Sequence, residues 1–131
     1  MKKRALFVCI ENSCRSQMAE GYAKALGKGI LEVWSAGSKP SGKVNETAVV
    51  MMKEDGIDIS GQLSKGLADL PAGQWDYIVT MGCGDACPFL PAKNRLDWNL
   101  ADPKNLPPDG FRKVRDEIKA RIQKLLANEH Q

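Results

Sequence analysis

The feature that most constrains this chain is a junction near its start. An apolar run, Ala5-Leu6-Phe7-Val8, ends at Cys9, and a helical pattern opens at Ser16. A continuous apolar run bounded by a loop reads as a strand buried on both faces. A strand that hands over to a helix within a few residues is the first half of a βαβ unit, and such units build parallel sheets whose loops gather at the carboxyl ends of the strands. The joining stretch, Cys9-Ile10-Glu11-Asn12-Ser13-Cys14-Arg15-Ser16, therefore lies at a helix N-terminus. Unpaired N–H groups and the positive end of the helix dipole favour bound negative charge there.

The rest of the chain keeps the same alternation. In residues 16–26, Met18, Tyr22 and Leu26 recur every four beside Ala19 and Ala23, and Gly27 closes the helix. Residues 31–36 alternate as a second strand. Asn45 is placed to cap a helix carrying Ala48, Val49 and Met52 and ending near Gly56. Residues 57–71, broken by Gly61, Gly66 and Pro71, admit no assignment. Residues 77–81 read as a third strand and residues 95–98 as a short fourth. Asp109 then caps a long helix with Phe111, Val114, Ile118, Ile122 and Leu125 on its core face and Glu117 paired to Arg121 on its surface. The expectation is a single α/β domain over residues 1–131: a four-stranded parallel sheet flanked by helices on both faces. Cys9, Cys83 and Asp102 follow strands one, three and four, so the topology brings them to one edge.

Composition narrows the function. A chain of 131 residues suits one hydrophobic core. The net charge of +3 is mild, with basic and acidic residues mixed and no interleaved aromatics, which argues against a nucleic-acid partner. No stretch is long and apolar enough for a membrane span, and the Met-Lys-Lys-Arg start with its short apolar run is not a signal peptide, so a cytoplasmic location is expected. Four cysteines in that setting read as catalytic or metal-binding thiols. The single histidine is His130, so acid–base work falls to a carboxylate or a thiol.

Cys9 and Arg15 have five residues between them, with Ser16 following, which places a thiol and a guanidinium fork around one tetrahedral anion. A lone buried cysteine would be inert, but the loop context favours a nucleophile. Cys83 and Cys87 form a second pair, flanked by Gly82 and Pro88. In a helical turn their Cα atoms would lie about 6 Å apart, within the range a reversible disulfide tolerates. Inert thiols, or a zinc site shared with Cys9 and Cys14, are the alternatives. The Cys9–Cys14 spacing and the charge of Arg15 disfavour zinc.

Taken together, residues 9–16, the second cysteine pair and Asp102-Pro103 resemble the thioredoxin-coupled arsenate reductases built on the low-molecular-weight tyrosine phosphatase fold. So do Ser16-Gln17-Met18-Ala19-Glu20-Gly21, Ser35-Ala36-Gly37, Ile57-Asp58-Ile59-Ser60, Val79-Thr80-Met81 and Val114-Arg115-Asp116-Glu117-Ile118. The resemblance implies that Cys9 attacks arsenate and Arg15 clamps the oxyanion. Ser16 would stabilise the thiolate, Asn12 would hold the loop and Asp102 would protonate the leaving oxygen. Residues Cys9, Ile10, Glu11, Asn12, Ser13, Cys14 and Arg15 form the oxyanion loop, with Cys14 structural, and Cys83 and Cys87 are the redox pair. It further implies a monomer that takes phosphate or sulfate as analogues of arsenate, receives electrons from thioredoxin, and needs no cofactor. Residues 82–90 are expected to differ between the reduced and oxidised forms. The rival within the same resemblance is a tyrosine phosphatase using Cys9, Arg15 and Asp102 alone, but Lys104 and Asn105 make a poor wall for an aromatic ring. Two departures stand out. Glu11 occupies a position that is glycine in most relatives, and its carboxylate is expected to face solvent. Asn12, Glu20 and Ser35 match residues that hold potassium in some relatives, but Lys65 stands near the place of a further acidic ligand, so no metal requirement is expected.

Overall fold

The computed structural model describes residues 2–82 and 90–129. Its chain order is β1 (Lys3–Cys9), α1 (Arg15–Leu26), β2 (Leu31–Gly37), α2 (Glu46–Glu54), β3 (Trp75–Thr80), β4 (Ala92–Asp97) and α3 (Pro108–Glu129), with short 3-10 turns at Leu67–Asp69 and Pro103–Asn105. The four strands form one sheet in the order β2-β1-β3-β4, and every pairing is parallel.

β1 is central because its apolar run can be buried on both faces. Ala5, Phe7 and Cys9 join Val79 and Met81 and side chains from all three α-helices in one core cluster. Leu6 and Val8 turn the other way, into a smaller cluster with Ala36, Trp75 and Ile78, against which Trp34, Leu67 and Leu70 pack. Among the described residues, therefore, α1, α2 and α3 share one face, and the 3-10 turn at Leu67–Asp69 helps to cover the other. β4 is an edge strand, mostly exposed and polar, as an edge must be to avoid pairing with another chain. It begins three residues before the position expected from sequence and ends before Trp98. That tryptophan is buried and tilts against Phe7, with ring centroids 5.9 Å apart.

The helices follow the expected faces with local shifts. Asn45 caps α2, its Oδ1 accepting from Ala48 N–H. α3 starts at Pro108 rather than being capped by Asp109, because proline suits the first helical position and Asp109 then sits in the first turn. Phe111, Val114, Ile118, Ile122 and Leu125 are buried, and Glu117 pairs with Arg121 at 3.5 Å. α1 departs most. It is buried almost all round from Arg15 to Ala23, while Leu26, assigned to its core face, is partly exposed. Its deep seat is possible because Gly21 lies where a Cβ would come within 2.6 Å of Ile59 Cγ2. No helix among the described residues is long and apolar enough to cross a membrane.

The order β2-β1-β3 reverses direction at β1: the chain crosses from β1 to β2 on one side and returns to β3 on the other. In open parallel sheets a crevice forms outside the carboxyl ends of strands at such a point. Cys9, the last residue of β1, opens into it.

Candidate active site

Residues 9–15 wrap the end of β1, and neighbouring loop amides take four of their carbonyls. The carbonyls of Cys9, Ile10, Glu11 and Ser13 accept from the amides of Ser38, Lys39, Ser41 and Asn45. The amides of residues 11–14 donate to no acceptor among the described residues, and unpaired amides at a helix N-terminus can hold an anion. Gly37, at the end of β2, allows this wrapping. A Cβ there would stand 2.5 Å from Ile10 O and 2.8 Å from Asn12 N, both backbone atoms that cannot swing aside. Gly37→Ala is accordingly expected to raise the inhibition constant of phosphate at least about tenfold and to lower the melting temperature, because an overpacking of this kind costs ~1–3 kcal/mol. Unchanged phosphate inhibition would show that the loop tolerates the shift.

The loop is held from inside by a chain of buried polar groups. Asn12 adopts a left-handed backbone, φ 51°, a conformation asparagine tolerates better than most residues. Its Oδ1 accepts from the Lys65 amide at 2.7 Å and from Gln17 Nε2 at 2.9 Å, which orients the amide group. Its Nδ2 then donates to Ser16 Oγ at 2.8 Å and to Ser35 Oγ at 2.9 Å. Ser35 passes its own hydrogen to Glu20 Oε1. Ser16 Oγ, which accepts from Asn12, also lies 2.8 Å from Cys9 Sγ, where either group can supply the hydrogen. The chain thus ends in a hydroxyl within hydrogen-bond distance of the Cys9 sulfur. Glu20 is 3% exposed, and its charge is met by Lys24 at 2.6 Å and Lys65 at 3.4 Å. The Lys65 ammonium thus stands beside Glu20, within the trio expected from sequence. Among the described residues no cluster of acidic, cysteine or histidine side chains could hold a metal ion.

Arg15 is buried at the start of α1. Its Nη1 donates to Leu100 O at 3.2 Å and to Gly82 O at 3.5 Å, and Nη2 lies 3.7 Å from Asp102 Oδ2. Its Nε is buried and has no acceptor among the described residues, an orphan donor that an oxyanion would satisfy. Gly82, with φ +85°, is needed here, because a Cβ would press on Arg15 Nη1 at 2.5 Å and Leu100 O at 2.7 Å. Asp102 holds its own turn, Oδ1 accepting from the Lys104 amide. Cys9, Glu11, Ser13, Cys14, Arg15 and Asp102 line one small cavity of about 10 Å³. A larger, mostly apolar cavity of about 430 Å³ lies at the opposite edge of the sheet, around Trp75 and Ala92, far from these groups.

Three of the segments expected to converge do so: the loop after β1, Gly82 after β3 and Asp102 after β4. Cys83 and Cys87, and the expected change over residues 82–90, fall on positions 83–89, outside the described residues. Cys14 is buried, and burial first, then the charge of Asp102, pushes its thiol up to about 12. In the unfolded chain the same thiol would ionise near 9.0, so the folded state holds its proton more tightly. The stability tied to this group is full below about pH 9 and is lost as pH rises toward 12. The melting temperature is therefore expected to fall between pH 9 and 11, and Cys14→Ala to make the fall shallower. Identical slopes would remove Cys14 from the account.

Glu11 is partly exposed and meets a distant lysine at the surface. Both of its carboxylate oxygens accept from Lys104 Nζ at 3.1 Å, across 93 residues of chain, and the contact raises the Lys104 pKa. The side chain stays 37% exposed, in keeping with the solvent-facing expectation; the lysine that the second loop brings to it is what no local pattern announces. Sequence reasoning also passed over Gln17. It is fully buried, and its Nε2 donates to Asn12 O and Oδ1 and to Leu63 O. A glutamine at the first turn of a buried helix was the one available signal.

A family model described as low molecular weight phosphotyrosine protein phosphatase matches residues 4–131. A glutaredoxin arsenate reductase from Synechocystis sp. is 44% identical over 128 residues, 95% of this chain and 97% of that protein. A solved structure of an arsenate reductase in the phosphate binding state superposes with a TM-score of 0.86 at 43% identity, covering 96% of this chain and 98% of the other. The thioredoxin-dependent arsenate reductase of Corynebacterium glutamicum is similar with a TM-score of 0.78 at 32% identity, over 98% of this chain and 62% of that one.

Proposed function

This chain belongs to the low molecular weight phosphotyrosine protein phosphatase family and stands with its arsenate reductases, and from that premise we propose that it reduces arsenate to arsenite through a relay of three thiols. Arsenate binds in the loop, held by the inward amides and the Arg15 fork. The Cys9 thiolate, supported by the Ser16 hydroxyl, attacks arsenic, and an oxygen leaves as water with a proton from Asp102. Cys83 then attacks the Cys9 sulfur. The electron pair of the sulfur–arsenic bond passes to arsenic, which leaves as arsenite, and a Cys9–Cys83 disulfide forms. Cys87 attacks Cys83 in turn, which frees Cys9 and leaves Cys83–Cys87 oxidised. No metal or cofactor takes part.

The single observation that carries this reading over a phosphatase is the second thiol pair. Cys83 follows directly on Gly82, whose carbonyl lies 3.5 Å from Arg15 Nη1. A phosphatase needs only Cys9, Arg15 and Asp102. We take thioredoxin as the electron donor, with a monomeric protein working in the cytoplasm, where such thiols are kept reduced. Glutaredoxin is the second reading, favoured by the name of the Synechocystis relative.

The test is arsenate-dependent NADPH oxidation with thioredoxin and its reductase, run beside glutaredoxin with glutathione and its reductase. Hydrolysis of p-nitrophenyl phosphate is measured in parallel. Cys83→Ser and Cys87→Ser are expected to abolish multiple-turnover reduction and to spare ester hydrolysis. Arsenate turnover by Cys83→Ser at the wild-type rate would overturn the relay.

A further inference from the structure

Glu11 and Ser13 line two cavities at once. One is the small oxyanion cavity that they share with Cys9, Cys14, Arg15 and Asp102. The other is a polar groove of about 520 Å³ that includes Lys43, Asn45, Thr47 and Lys104. The Glu11–Lys104 ion pair stands between the two. It also joins the nucleophile loop to the turn that carries Asp102, because the Lys104 amide is itself the donor to Asp102 Oδ1.

From this placement we infer that the Glu11–Lys104 bridge is a specificity-determining partition, which admits a free inorganic tetrahedral oxyanion to the Cys9 loop and excludes the aryl group of a phosphate monoester. The inference rests on the proposed reaction, in which Asp102 protonates the leaving oxygen. Whatever that oxygen carries must lie on the Asp102 side of the cavity. For arsenate it carries hydrogen alone. For an aryl ester it carries a ring, which would have to pass into the groove where Glu11 and Lys104 meet. The bridge also solves a charge problem. A carboxylate in the oxyanion loop repels a bound anion unless a cation holds it, and Lys104 contacts both of its oxygens. The two halves are therefore coupled: removing Lys104 alone leaves an unpaired negative charge at the anion site, whereas removing both removes partition and charge together.

The test is a double-mutant cycle of Lys104→Ala, Glu11→Gly and the double variant, read with p-nitrophenyl phosphate hydrolysis and with its inhibition by inorganic phosphate. Both side chains are partly exposed, 46% for Lys104 and 37% for Glu11, so the variants are expected to fold, as melting curves will check. The double variant is expected to raise kcat/KM for the ester about tenfold or more, the scale of a steric change in a pocket. Lys104→Ala alone is expected to weaken phosphate inhibition at least about threefold, and the added Glu11→Gly to restore it. Ester hydrolysis by the double variant within about twofold of wild type would overturn the partition, as would equal phosphate inhibition across the cycle. These readouts need no electron donor. A failure of wild-type arsenate turnover would strike the proposed reaction, and a flat cycle the bridge.

Discussion

Replacing Cys9 by serine is expected to abolish arsenate reduction and ester hydrolysis together, each by about 10⁴-fold or more, because both reactions begin with the same attack. The substitution is close to isosteric. Serine can keep the hydrogen bond that Ser16 makes to position 9 at 2.8 Å, and the surrounding chain through Asn12, Ser35 and Glu20 is untouched. Phosphate should therefore still bind to the variant, which calorimetry can measure, and the melting temperature should hardly move. Loss of turnover with binding retained is the signature of a missing nucleophile. Residual turnover within tenfold of wild type would mean that another group attacks.

The second large effect is expected at Arg15. Arg15→Lys keeps the charge but gives up the planar fork. The guanidinium holds Leu100 O and Gly82 O with Nη1, approaches Asp102 with Nη2, and keeps a buried Nε for the anion. A lysine ammonium is a point charge and cannot serve the two carbonyls, the carboxylate and the anion at once. Removing one aligned donor from a buried oxyanion site costs about 10²–10³-fold in rate. We expect kcat/KM for arsenate to fall by about that factor and the phosphate inhibition constant to rise with it. A change under about threefold in both would show that Arg15 only ties the loops together.

Residues near each other in sequence carry most of what could be read from it. The run Ala5 to Val8, the close start of α1 and the Cys9–Arg15 spacing are local, and a buried parallel strand feeding a helix has few folds open to it. The core face of α3 was equally legible, since Phe111, Val114, Ile118, Ile122 and Leu125 repeat with the helical period and are all buried. Residues 57–71 were not, because no period runs through them. They contribute one 3-10 turn and an isolated bridge from Gly66 to Gly37. Their role is to deliver the Lys65 amide to Asn12 and its ammonium to Glu20.

The sequence alone determined the strand–loop–helix unit, the placing of a thiol and a guanidinium at the two ends of one loop, and the alternation that makes the sheet parallel. These follow from backbone propensity and from burial along a continuous stretch. Only the tertiary structure decided how the loop is held and what surrounds it. Gly37 meets it from β2, Leu100 O receives Arg15, the Asn12–Ser35–Glu20 chain orients Ser16, and Lys104 covers Glu11. Apart from the step from Asn12 to Ser16, four residues away, these contacts join residues far apart along the chain that only folding brings together. Hydrogen bonds and charges act over a few ångströms. Their partners are set by where the strands and loops come to rest, and one-dimensional order carries little record of that.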